Sequence, residues 1–175
     1  MYSKFGQFID GKWQTSKDTY EVINPATEEI IGKVSKASSS DVEKALKSAQ
    51  KGFEVWKKTL PWQRSYIIRK IADLMRKKSE VLAKWLALEV GKPLPEGLAE
   101  VGGAADIFEW NAEETKRIYG QTVESRFENT RVHVYYQPVG VVAALVPWNF
   151  PIVLASRKIS TALAAGCSVI CKPDV

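Results

Sequence analysis

The sequence predicts an α/β fold, and three observations carry that prediction. An uninterrupted apolar run, Val139 to Val146, has the composition of a strand buried on both faces. A proline-opened amphipathic stretch from Pro151 to Gly166 follows it, and a second apolar run, Ser168 to Cys171, follows that. Strand, helix and strand within roughly 30 residues is the size of a βαβ crossover. Everything upstream reads as short strands and then helices.

The first elements are hairpins. Phe8-Ile9-Asp10-Gly11-Lys12-Trp13 places an Asp-Gly turn between apolar residues. Tyr20 to Ile23 and Glu29 to Val34 form a second pair, joined through the turn residues Asn24-Pro25-Ala26-Thr27. Ser40-Asp41-Val42-Glu43 has capping-box form and opens a helix whose stripe is Val42, Ala45, Leu46, Ala49, Phe53 and Trp56. Pro61 starts another, with Ile67, Ile71, Leu74 and Met75 on one side. Ser79 is the expected cap of a third, which Gly91 and Pro93 end. A fourth, longer helix is expected from Pro95 to Tyr119, with Gly102-Gly103 either weakening it or marking close packing. Arg131 to Gln137 then alternates as a strand, with Val132, Val134 and Tyr136 on one face and His133 on the solvated one.

Composition narrows the class. The apolar and charged fractions are those of an ordinary globular protein, not a disordered one. Met1 to Gln7 has no apolar run behind its lysine, so no secretory signal is expected, and no apolar stretch is long enough to span a bilayer. Cys167 and Cys171 lie four apart in one strand, roughly 13 Å between Cα atoms, which is too far to bridge. Both read as small core residues in a reduced, cytoplasmic protein. The net charge of +5 raises nucleic acid as a partner, but the lysines interleave with apolar positions at helical spacing and read as solvated helix faces. The lone histidine completes no metal pair, so no metal site is expected.

The βαβ unit has a chemical consequence. A right-handed crossover makes its strands parallel, so Trp148-Asn149 and Lys172 leave the sheet at one carboxyl edge, where open α/β sheets bind ligands. A helix start beside a lysine suits phosphate, through free backbone N–H groups and a full positive charge. There is no G-x-G-x-x-G fingerprint, and Gly91-Lys92 lacks the neighbours of a P-loop. Locally, Asn149 is either a ligand donor or a turn residue ahead of Pro151, and Trp148 either borders a ligand or simply packs.

Pro138-Val139-Gly140-Val141-Val142, Pro147-Trp148-Asn149-Phe150-Pro151, Ala162-Leu163-Ala164-Ala165-Gly166-Cys167 and Lys172-Pro173 closely resemble the corresponding run in the aldehyde dehydrogenase superfamily. Asn24-Pro25-Ala26-Thr27, Glu89-Val90-Gly91-Lys92-Pro93-Leu94 and Ala112-Glu113-Glu114 through Tyr119-Gly120 are similar to family segments in the same order. The resemblance implies an incomplete Rossmann-like cofactor-binding domain. Its N-terminal strands and helices would be residues 1–120, an oligomerisation strand segment 121–137, and the first βαβ unit 138–175. It further implies aldehyde oxidation to carboxylate with NAD or NADP, by a homo-oligomer in the full-length relative, with no nucleic acid or membrane involved.

By resemblance, Asn149 is the side-chain half of an oxyanion hole, donating to the aldehyde oxygen as a thiolate attacks. The backbone of Val146, Pro147, Trp148 and Asn149, with the Trp148 ring, borders the cofactor, and Lys172 bonds its adenosine ribose. The family's catalytic cysteine, its glutamate and the turn that holds the cofactor diphosphate would all fall beyond Val175, so the chain is expected to be inactive alone. Val175 stands where many relatives place an acid that bonds the ribose hydroxyls, which leans toward NADP. Two other readings remain: a non-enzymatic module associating with a full-length relative through the 131–137 strand, and a stand-alone nucleotide binder.

Overall fold

The computed structural model describes residues 6–174; the readings placed on Met1 to Phe5 and on Val175 lie outside them. Asp10 and Gly11 both take positive φ, 53° and 73°, as a two-residue turn between twisted strands requires. They join β1 (Gln7–Ile9) to β2 (Lys12–Gln14), antiparallel with Phe8 opposite Trp13. β3 (Thr19–Ile23) and β4 (Ile30–Ser35) form the second antiparallel pair. Its turn is held by the Asn24 side chain, whose Oδ1 accepts from the Ala26 amide at 3.0 Å.

Four helices follow. α1 (Ser39–Trp56) does begin with a capping box, but the cap is Ser38 and not Ser40. Asp41 stands three residues after Ser38 and completes the reciprocal pair: its amide donates to Ser38 Oγ at 3.2 Å, and its carboxylate accepts from the Ser38 amide at 3.0 Å. Hydrogen bonds from Ser38 hold the Asp41 carboxyl well below the usual carboxylate range. The box therefore contributes fully above the ordinary aspartate pKa and is lost only as strong acid protonates Asp41.

α2 (Pro61–Lys77) buries only part of the face its large apolar residues suggest: Ile71 and Met75 pack half-buried against the core. Arg64, Ser65, Ile68 and Ala72 are buried, while Ile67 and Leu74 are exposed. The small Ala72 lets a neighbouring helix approach, and that contact outweighs the bulk of Leu74. In α3 (Ser79–Val90), Ser79 is the first helical residue and makes no cap bond; Lys78 occupies the cap position. Gly91, at φ 70°, ends the helix as expected.

α4 (Leu94–Glu114) stops short of Tyr119, passing into a 3₁₀ turn at Thr115–Arg117. Thr115 Oγ1 donates back to the Asn111 carbonyl at 2.7 Å there. Gly102 and Gly103 face open space, so they mark no close packing. Gly97 does: a Cβ on it would stand 3.1 Å from the Ala83 carbonyl oxygen, where α3 meets α4.

β5 (Gln121–Glu124) and β6 (Arg131–Val134) form an antiparallel hairpin. β6 ends before the expected Gln137 because its partner begins at Gln121, opposite Val134. Val132, Val134 and Tyr136 are all exposed, so the alternation marks no buried face among the described residues.

β7 (Val141–Leu145), α5 (Pro151–Ala164) and β8 (Ser168–Lys172) form the expected crossover. The strands are parallel, in register from Val141 opposite Ser168 to Leu145 opposite Lys172. β7 is not buried on both faces: Ala144 is buried while Ala143 and Leu145 are exposed. Among the described residues this sheet has two strands, so each is an edge and α1 and α5 cover only part of it. Cys171 is exposed for the same reason, against its expected place in the core; Cys167 is buried, and both thiols are free. The main core lies between α2, α4 and α5, built on Ile68, Ala72, Ala105, Phe108, Ala112 and Ala164. Trp56 ties α1 to it by donating Nε1 to the Leu163 carbonyl at 2.8 Å.

Candidate functional site

Where β7 ends, the chain leaves the sheet beside β8. The Val146 amide donates to the Lys172 carbonyl at 3.0 Å, one step past the last strand pair. Pro147 cannot continue the ladder, having no N–H. Pro147, Trp148, Asn149 and Phe150 are exposed in succession, Trp148 at 67%. Pro151 then starts α5 at its first position, where a missing N–H costs nothing. Lys172 is also exposed and stands opposite Leu145. Asn149, Trp148 and Lys172 thus share the carboxyl edge that the topology predicted. Lys158, on α5, secures that edge by donating Nζ to the Leu145 carbonyl at 2.6 Å.

One expectation fails here. The N-terminus of α5 offers no free amides for phosphate, because a side chain from α4 occupies them. Glu100 Oε1 accepts from the Ile152 amide at 3.0 Å and the Val153 amide at 3.2 Å. A carboxylate supplies the negative charge a helix start prefers, and a phosphate there would meet that charge head on.

Glu100 is paired in turn. Its carboxylate bonds Lys92 Nζ, and the two side chains are only 1% and 8% exposed. Lys92 Nζ also donates to the Asn149 carbonyl at 3.1 Å and lies 3.7 Å from the centre of the Phe150 ring. Beside this cluster a groove runs between α4 and α5, lined by Glu96, Ala99, Asn149, Phe150, Leu154 and Arg157 among others.

Reading the sequence missed Lys92, Glu100 and Arg157. Lys92 drew notice as a failed P-loop lysine and as part of a family-like segment, without a role of its own. Glu100 carried a usable signal, since it sits beside Val101 and one turn from Gly97 and Ala104 on the buried face of α4. A glutamate there needs a partner. Arg157 is one exposed cation among many, and only the fold shows that it lines the same groove as Asn149.

Residues 13–175 match the family described as the aldehyde dehydrogenase family. The chain belongs to the aldehyde dehydrogenase family. It is 40% identical over 168 residues to the glutarate-semialdehyde dehydrogenase of Pseudomonas aeruginosa, covering 95% of this chain and 35% of that protein. To the NADP-dependent succinate-semialdehyde dehydrogenase of Saccharomyces cerevisiae it is 42% identical, covering 95% and 34%. Its fold superimposes on a betaine aldehyde dehydrogenase from Staphylococcus aureus in complex with NAD⁺, with a TM-score of 0.94 at 36% identity, over 98% of this chain and 35% of that one. The chain therefore spans about a third of the length of these relatives, and the matched part is their N-terminal portion. Among the described residues no helix is long and apolar enough to cross a membrane.

Proposed function

We propose that this chain forms the oxyanion-bearing part of an enzyme that oxidises aldehydes to carboxylates with NAD(P)⁺. The observation that carries the reading is the exposed Asn149 beyond the carboxyl end of β7: Lys92 holds its backbone carbonyl, and Lys172 ends the neighbouring strand at the same edge. When a thiolate attacks an aldehyde, a carbon–sulfur bond forms and the carbonyl oxygen becomes an alkoxide. An amide N–H from Asn149 stabilises that charge as it develops.

A bound nicotinamide nucleotide supplies the hydride acceptor. The accessible edge fits one: Pro147 to Asn149 offer exposed backbone and the Trp148 ring a wall, and the Lys172 side chain offers a cation for the ribose. Val146 lies buried behind them, with its amide bonded to the Lys172 carbonyl. The occupied start of α5 leaves the diphosphate to be held elsewhere. By the family resemblance, Val175 stands in sequence where many relatives have an acid that bonds the ribose hydroxyls, which favours NADP. Free thiols at Cys167 and Cys171 suit a reducing, cytoplasmic setting.

Neither cysteine suits the nucleophile's role. Cys167 is buried at the far end of β8 from the ligand edge. Cys171 is exposed as a residue, but partial desolvation of its sulfur raises the thiol pKa against a smaller opposing effect of Lys158, the wrong direction for a thiolate. The chain spans about a third of its relatives' length, and the thiolate would be supplied by the remaining part; the active enzyme is this chain together with such a part.

Relatives named for glutarate and succinate semialdehydes act on aldehydes that carry a carboxylate at the other end. Arg157 lines the same groove as Asn149 and is the cation to receive such a carboxylate. One kinetic comparison on the active enzyme tests both cations. Lys172→Ala is expected to raise the nucleotide KM about 10-fold, the loss of one charged hydrogen bond. Arg157→Leu is expected to raise the KM of a carboxylated aldehyde similarly, with an uncharged aldehyde little affected. Equal effects of Arg157→Leu on both aldehydes would rule out the acid-binding role, and an unchanged nucleotide KM in Lys172→Ala the ribose role.

A second reading has its own observation. Every residue of β5 and β6 is exposed, including Val123, Val132 and Val134, and an open hairpin with apolar side chains invites pairing. Residues 121–137 would then be an assembly segment that associates with another copy or a full-length relative. Size-exclusion chromatography of the chain should show a dimer or larger; a folded monomer removes this reading.

A further inference from the structure

We propose that Lys92 and Glu100 are positioning residues for the Asn149 amide, an inference that rests on the oxyanion role given to Asn149 above. The two side chains form a buried ion pair, 8% and 1% exposed. Burying such a pair is costly unless the remaining donors and acceptors are also satisfied. Here they are. Glu100 accepts from Lys92 and from the amides of Ile152 and Val153. Lys92 donates to Glu100 and to the Asn149 carbonyl and lies over the Phe150 ring.

The pattern of these bonds matters more than their number. Lys92 holds the backbone at Asn149, Glu100 holds it at Ile152 and Val153, and Pro151 stands between with its fixed φ. Both ends of the turn are thus pinned from outside it, by the residue after Gly91 and by α4. If stability were the only need, a serine or aspartate at the cap position would satisfy the start of α5 locally. That position is Phe150, which makes no side-chain cap bond. Capping from α4 instead locks the segment carrying Asn149 to the helical scaffold, and a fixed backbone leaves the asparagine only its own two side-chain torsions. Oxyanion donors need such rigidity, because a misplacement of about 1 Å can cost 10²-fold in rate.

The test is a set of double-mutant cycles on the active enzyme: Glu100→Gln and Lys92→Met, each alone and combined with Asn149→Ala. Each single variant is expected to lower kcat about 10- to 100-fold, with the nucleotide KM unchanged. Combined with Asn149→Ala, neither lowers kcat further, because no amide remains to be positioned. Losses that multiply with that of Asn149→Ala, or single variants with normal kcat, overturn the inference while leaving the oxyanion role intact. A kcat untouched by Asn149→Ala alone instead overturns the oxyanion role, and this inference with it. Should Lys92→Met fail to fold, Glu100→Gln keeps an acceptor for both amides and carries the same test.

Discussion

Asn149→Ala in the active enzyme is expected to lower kcat by about 10²- to 10³-fold, the usual loss on removing one oxyanion donor. The nucleotide KM should stay near its original value, because Trp148 and Lys172 are untouched. The reason for so large an effect lies in timing. The amide meets a neutral carbonyl oxygen in the ground state and an alkoxide after attack, so its contribution grows as the barrier is climbed. The turn that carries it is already held by Lys92 and Glu100, so little reorganisation accompanies the reaction. Steady-state kinetics with both substrates varied checks the split: a kcat loss with constant nucleotide KM supports the role, and a pure rise in KM contradicts it.

What the chain reveals in sequence follows from which interactions are local. Asp10-Gly11 forces its turn and Gly91 its helix stop, because positive φ is a property of single residues. The βαβ crossover is legible because two short apolar runs and a proline-opened helix admit one handedness. Asn149 and Lys172 fall on one edge for that reason alone, before any family is considered.

The failures are long-range. Ile67 and Leu74 look like core but lie outside it, because α4 packs on α2 over Ile68 and Ala72. The start of α5 looks free for phosphate, yet a glutamate about fifty residues earlier occupies it. No window around Pro151 contains that information. The choice of Ser38 over Ser40 is a subtler case: both serines have a carboxylate three residues on, and the structure starts the helix at the earlier one.

The largest expected effect is all-or-none. The purified 175-residue chain should show no aldehyde-dependent reduction of NAD⁺ or NADP⁺, whatever aldehyde is supplied. Thioester formation needs a thiolate within reach of the aldehyde carbonyl, which in the proposed role Asn149 would polarise. Cys167 is buried, and the Cys171 thiol is held toward its protonated form by desolvation. No other residue type here supplies that sulfur. The decisive measurement is therefore nicotinamide absorbance on mixing the purified chain with a carboxylated aldehyde and either nucleotide. A flat trace is the predicted result; turnover that Asn149→Ala abolishes would show that these residues contain a complete active site, and would contradict the claim that they hold half of one.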